Sequence, residues 1–152
     1  MNELANSLAQ ILTRYMVPGD ERIIPICFNK SIDMVISILA ILKAGCGYVP
    51  IDAEGWGPDR INTIIGISKA RVCLVGADLH DKMSTVLLES PITLFKVDAV
   101  SLELSQIRPE AGKVLPTDLA YVLFTSGRYF TPLLSKEEAN IWQYWYAQGC
   151  YD

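Results

Sequence analysis

The feature that most constrains this chain is an alternation: short runs rich in β-branched and other apolar residues, bounded by turn residues, are separated by stretches with helical spacing of apolar residues. Strands separated by helices of this length cannot be joined as hairpins, so they pair in parallel through right-handed crossovers. The expectation is an α/β fold, an open and mostly parallel sheet with helices on both faces.

The pattern begins at Asn2, with Leu4, Ala5, Leu8, Ile11, Leu12 and Tyr15 on one helical face and Pro18-Gly19-Asp20 as a stop. Arg22 to Phe28 reads as a strand in which Pro25, lacking a donor, belongs near an edge or an early position. Ser31 is an N-cap candidate for a second helix that is apolar almost all round, and Gly45 lies just past its end. Tyr48 to Ile51 is a short strand leading to Asp52, and Pro58 opens a third helix. Arg71 to Val75 is a strand, Leu79 to Glu89 a fourth helix, and Thr93 to Val97 a further strand. Ser101 to Thr117 reads as a loop, and a last strand, Leu119 to Phe124, runs into Thr125-Ser126-Gly127.

Composition excludes several classes of function. Seventeen acidic residues stand against thirteen basic ones, and no basic stripe is present, so nucleic acid is not the expected partner. The longest apolar run, Met34 to Leu42, is too short to span a bilayer, and the N-terminus lacks the pattern of a secretory signal. Cys27, Cys46, Cys73 and Cys150 show no metal-ligand spacing and read as reduced thiols, which makes the cytoplasm the expected location. Asp78, His80 and Asp81 are too close in sequence to converge on one ion from a helix start and read as a surface turn. Asp52, Glu54 and Asp59 read as loop and helix-start carboxylates. Ser101 and Ser126 have no histidine partner that can be assigned. No catalytic set and no metal site emerges.

Three stretches, in order, carry a family resemblance: Asn2 to Ala9; Pro25 to Ser31 followed by Ile41-Leu42-Lys43-Ala44-Gly45-Cys46-Gly47-Tyr48-Val49-Pro50-Ile51-Asp52; and Asp118 to Gly127. The second is similar to the LKAGxAYVPLD core, and the third to the start of the LAYxxYTSGSTGxPKG loop, of the adenylation domains of nonribosomal peptide synthetases. The resemblance implies the N-terminal subdomain of the adenylate-forming fold over residues 1–127. It also implies a family activity, the ATP- and magnesium-dependent activation of an amino or aryl acid as an acyl-adenylate. Thr125, Ser126 and Gly127 would be a partial phosphate-binding loop, offering hydroxyls and backbone N–H groups to phosphate oxygens.

After Gly127 the pattern departs. The family continues with further glycine and then Pro-Lys-Gly; this chain has Arg128-Tyr129-Phe130-Thr131-Pro132-Leu133-Leu134. The phosphate lysine is missing from its expected place, and Tyr129 and Phe130 put bulk where backbone must approach phosphate closely. Residues 128–152 form a non-family tail holding half of the chain's aromatic residues. Ser135-Lys136-Glu137-Glu138 resembles a capping box, and a short aromatic helix is expected from about Lys136 to Ala147. The expectation is a truncated adenylation domain, inactive alone and binding no cofactor tightly. The alternative is a non-catalytic module that docks on a synthetase or self-associates.

Overall fold

The computed structural model describes residues 1–16, 22–98 and 119–124. Eight elements follow one another: α1 (Asn2–Thr13), β1 (Ile23–Cys27), α2 (Ile32–Lys43), β2 (Gly47–Pro50), α3 (Pro58–Ser68), β3 (Val72–Gly76), α4 (His80–Val86) and β4 (Thr93–Val97). The four strands form one parallel sheet in the order β2-β1-β3-β4. The Pro18-Gly19-Asp20 stop, the Ser101 to Thr117 loop, the Thr125 to Gly127 turn, Cys150 and the expected tail helix lie outside the described residues.

Why the strands read as continuous apolar runs is visible in how they divide their side chains. Ile24 and Ile26 of β1, with Val72 and Leu74 of β3, join one core beneath α1 and α2. Ile23 and Cys27, with Cys73 and Val75, join a second core beneath α3 and α4. Both faces of the sheet are covered, so a period of two leaves no polar side. The helices are placed as crossovers of one common hand require: α2 covers one face on the way from β1 to β2. The chain then reverses across β1 to reach β3, with α3 and α4 on the other face.

Helix boundaries follow local chemistry. The Ser31 side chain accepts the Met34 amide at 3.2 Å, and Gly45, with φ of 72°, supplies the left-handed step after α2 that a Cβ would oppose. Pro58 occupies the first turn of α3. The fourth helix is shorter than the expected Leu79 to Glu89: it ends at Val86, and Leu87 has left helical geometry. Ser84 and Thr85 donate back to the His80 and Asp81 carbonyls (2.8 and 3.1 Å), a competing pattern that loosens a short helix.

Pro25 departs from expectation. It lies third of five in β1, an internal strand flanked by β2 and β3. The Gly47 amide donates to the Arg22 carbonyl and the Ile51 amide to the Ile26 carbonyl, so even-numbered β1 residues bond to β2. Odd-numbered positions turn toward β3, and the β1–β3 register begins only at Ile26↔Leu74, one residue beyond the proline. Pro25 is tolerated because its missing donor falls where that ladder has not yet begun.

Lys43 does more than place a cation at the end of α2. Its ammonium reaches α1, donating to Asn2 Oδ1 at 2.6 Å and Asn6 Oδ1 at 2.5 Å, and Asn6 is only 4% exposed. Lys43→Ala removes both bonds and takes a charged donor from a buried amide. The expected loss is about 1–3 kcal/mol, read as a lower urea midpoint with unchanged slope.

Candidate functional site

In an open parallel sheet, ligands gather beyond the carboxyl ends of the strands, where crossovers diverge. Here β1 leads into Phe28-Asn29, β2 into Ile51-Asp52, and β3 into Ala77-Asp78, all at that end. Residues 119–124 run parallel to β2 on its outer side. The Tyr48 amide donates to the Ala120 carbonyl at 3.1 Å and the Val122 amide to the Tyr48 carbonyl at 2.8 Å, with the Tyr48 and Tyr121 rings 5.9 Å apart.

The expected strand Leu119 to Phe124 is thus reduced to one bridge, and Pro50 explains why. Tyr48 bonds outward to this segment while Gly47 and Ile51 bond inward to β1, so position 50 faces outward too. The next rung would need a donor from Pro50, which has none. The described part of this segment ends at Phe124.

A second set of contacts holds Phe124. Asp52 Oδ1 accepts the Glu54 and Gly55 amides at 3.0 and 2.8 Å, and the Trp56 amide donates to the Asp52 carbonyl at 3.1 Å, closing a turn that leads into α3. Asp52 therefore caps a loop. From the first turn of α3, the Arg60 guanidinium lies 4.4 Å from the Trp56 ring centroid, and its Nη2 donates to the Phe124 carbonyl at 3.5 Å. Sequence reasoning missed Arg60, because a contact spanning 64 residues leaves no local signal; the four-residue spacing of Trp56 and Arg60 was the only hint.

The Asp78, His80, Asp81 group does not converge. Asp78 Oδ2 accepts from Asn29 Nδ2 at 2.7 Å, tying the ends of β1 and β3, whereas His80 Nδ1 lies 3.4 Å from a fully exposed Asp81. Among the described residues, no group of three or more His, Cys, Asp or Glu could hold a metal ion, and no helix is long and apolar enough to cross a membrane. Cys27, Cys46 and Cys73 are free and buried, and burial pushes the first two up to about 11. Such thiols are poor nucleophiles. Thr125, Ser126 and Gly127, and also Ser101, lie outside the described residues.

A model of the family described as AMP-binding enzyme matches residues 1–127. Nonribosomal peptide synthetase agiA of Aspergillus flavus is 36% identical over 138 residues, covering 86% of this chain and 2% of that protein. Gramicidin S synthase 1 of Brevibacillus brevis is 36% identical over 135 residues, covering 87% of this chain and 12% of that one. Among solved structures, the nonribosomal peptide synthetase FmoA3 in its α-methyl-L-serine-AMP bound form superposes with a TM-score of 0.64 at 25% identity, over 82% of this chain and 13% of that one. The chain spans a small part of the length of each of these relatives.

Proposed function

The chain belongs to the AMP-binding enzyme family, and we propose that it supplies the opening part of a peptide-synthetase adenylation domain, the scaffold that presents the first residues of the phosphate-binding loop. In that reading an amino or aryl acid attacks the α-phosphate of ATP, forming an acyl-adenylate and releasing pyrophosphate, with magnesium offsetting phosphate charge. The observation that supports it is the docking of residues 119–124 beside β2, parallel to it, immediately ahead in sequence of the Thr-Ser-Gly motif. The α-methyl-L-serine-AMP bound by the structural relative supports the same chemistry.

The 152-residue chain by itself does not complete this reaction in our reading. Arg128-Tyr129-Phe130 stand where the loop needs glycine, and the phosphate lysine has no counterpart in its expected place. With the loop pattern broken after Gly127, weak nucleotide binding is the expectation. ATP–pyrophosphate exchange with the purified chain, across amino and aryl acids, is expected to stay at the level of a boiled control. Turnover above it would overturn this part of the proposal. A cytoplasmic location belongs to the same reading and is supported by the free thiols.

One observation favours a second, non-catalytic reading. Ile32, Val35 and Leu39 are 65%, 42% and 37% exposed at helical spacing along α2, an apolar stripe suited to self-association or to docking on a synthetase. Light scattering after size exclusion decides: a strictly monomeric, folded chain counts against self-association.

A further inference from the structure

We propose that the outer edge of residues 119–124 pairs with the same edge of a second copy of this chain, antiparallel and about a twofold axis at Val122. This surface is distinct from the α2 stripe, and its pairing does not depend on nucleotide binding.

The hydrogen bonds to β2 define which groups remain. The Ala120 carbonyl accepts from Tyr48 and the Val122 amide donates to Tyr48, so both point inward. Backbone groups alternate in direction along an extended chain, and those of Tyr121 and Leu123 therefore turn away from β2. Among the described residues, Tyr48↔Tyr121 is the one bridge this segment makes. Leu123 is also 40% exposed. An apolar strand with a row of outward N–H and C=O groups is a template for another strand.

Charge decides between the two edges of the sheet. The opposite edge is β4, where exposed Lys96 would have to give up water as a second strand approached. Residues 119–124 read Leu-Ala-Tyr-Val-Leu-Phe, with neither charge nor proline to deter pairing. Register then follows from the groups at hand. The Leu119 carbonyl oxygen is turned toward Gly47, which leaves Tyr121 and Leu123. Setting Tyr121 opposite Leu123 of the second copy satisfies the outward N–H and C=O of both residues in both chains. It also lays each Tyr121 ring beside the Leu123 side chain of the other copy, an apolar cross-strand pair. An edge this short buries less than the ~800 Å² per partner of a stable complex, so the dimer forms at high concentration and dissociates on dilution.

The test applies sedimentation equilibrium and residue-resolved hydrogen exchange to the full chain at about 20 μM and about 1 mM. Three variants accompany it: Leu123→Pro, Leu123→Lys and, on the α2 stripe, Leu39→Lys. Leu123→Pro removes an N–H that makes no bond to β2 and sets a ring in the path of a second strand. The wild type is expected to shift from monomer to dimer between the two concentrations, with the Tyr121 and Leu123 amides exchanging about fivefold more slowly at the higher one and β3 amides unchanged. Both Leu123 variants should stay monomeric with the wild-type melting temperature, and Leu39→Lys should dimerise as the wild type does. A wild type still monomeric at the higher concentration overturns the proposal. So does a dimer that survives in both Leu123 variants and is lost in Leu39→Lys, which would assign self-association to α2. Tyr121 and Leu123 amides equally protected at both concentrations would show that the chain covers its own edge, and would overturn it too. If Leu123→Pro does not fold, Leu123→Lys and the wild-type exchange decide.

Discussion

Raising the pH through the alkaline range is expected to unfold the chain, and buried thiols are the reason. Burial pushes Cys27 from 9.0 to about 11, with Asp52 and Asp78 adding to the rise, and burial alone pushes Cys46 to about 11. Cys73, fully enclosed and facing Cys27, is pushed higher still. The ionised form is the one the fold disfavours. Below 9.0 both folded and unfolded chains keep these protons, and the contribution to stability is complete. Above it the unfolded chain releases protons that the folded chain retains, so stability falls until the pH passes the folded value. Each thiol costs on the order of 1 kcal/mol per pH unit across that window. Three together approach several kcal/mol near pH 11, set against a typical total of about 5–15 kcal/mol. The measurement is the urea midpoint from about pH 8 to about pH 11, in the wild type and in a Cys27→Ala, Cys46→Ala, Cys73→Ala triple variant. The triple variant starts lower because it loses packing, yet its midpoint should fall more gently with pH. Parallel slopes would show that the thiols do not drive the loss.

Those cysteines also show what the sequence disclosed and what it withheld. Their spacing excluded a metal site but did not show their burial, whereas the apolar runs disclosed the parallel sheet, because a strand covered on both faces has no polar period. Ser31, Gly45 and Pro58 marked helix ends through chemistry that acts within a few residues. Pro25 and Pro50 were harder. Whether a strand proline is costly depends on which neighbour its nitrogen faces, and that is set by register across the sheet. For the same reason the last strand was expected to be longer than the single bridge that forms. The Arg60 contact to Phe124 and the Asn29 contact to Asp78 join residues 64 and 49 positions apart, so they exist only once the topology is known.

Gly47→Val is expected to detach the segment that carries the loop while leaving the rest of the sheet intact. Gly47 opens β2 directly beneath the backbone of residues 119 and 120. A Cβ there would lie 2.9 Å from the Leu119 carbonyl oxygen and 3.4 Å from the Ala120 carbonyl carbon and oxygen. The first contact is with backbone, which cannot swing aside as the tip of a side chain can. Alanine, found at this place in the family pattern, already brings a Cβ inside contact distance of that backbone, so Gly47→Ala should loosen residues 119–124 in part. Valine adds two branches to a Cβ already too close, and the segment must leave. Departure forfeits the Tyr48–Ala120 and Val122–Tyr48 backbone bonds and the Tyr48–Tyr121 ring contact. Together these are worth about 2–4 kcal/mol locally. Under fast reclosing, that loss speeds exchange of the Val122 amide by roughly 30- to 1,000-fold, with β3 amides unchanged because the rest of the sheet stays closed. A Val122 amide as protected in Gly47→Val as in the wild type would show that close approach at Gly47 is not what seats the segment. With the expected result, the small residue at position 47 becomes a condition for the edge of the sheet: β2 must be bare at its first residue for residues 119–124 to lie against it.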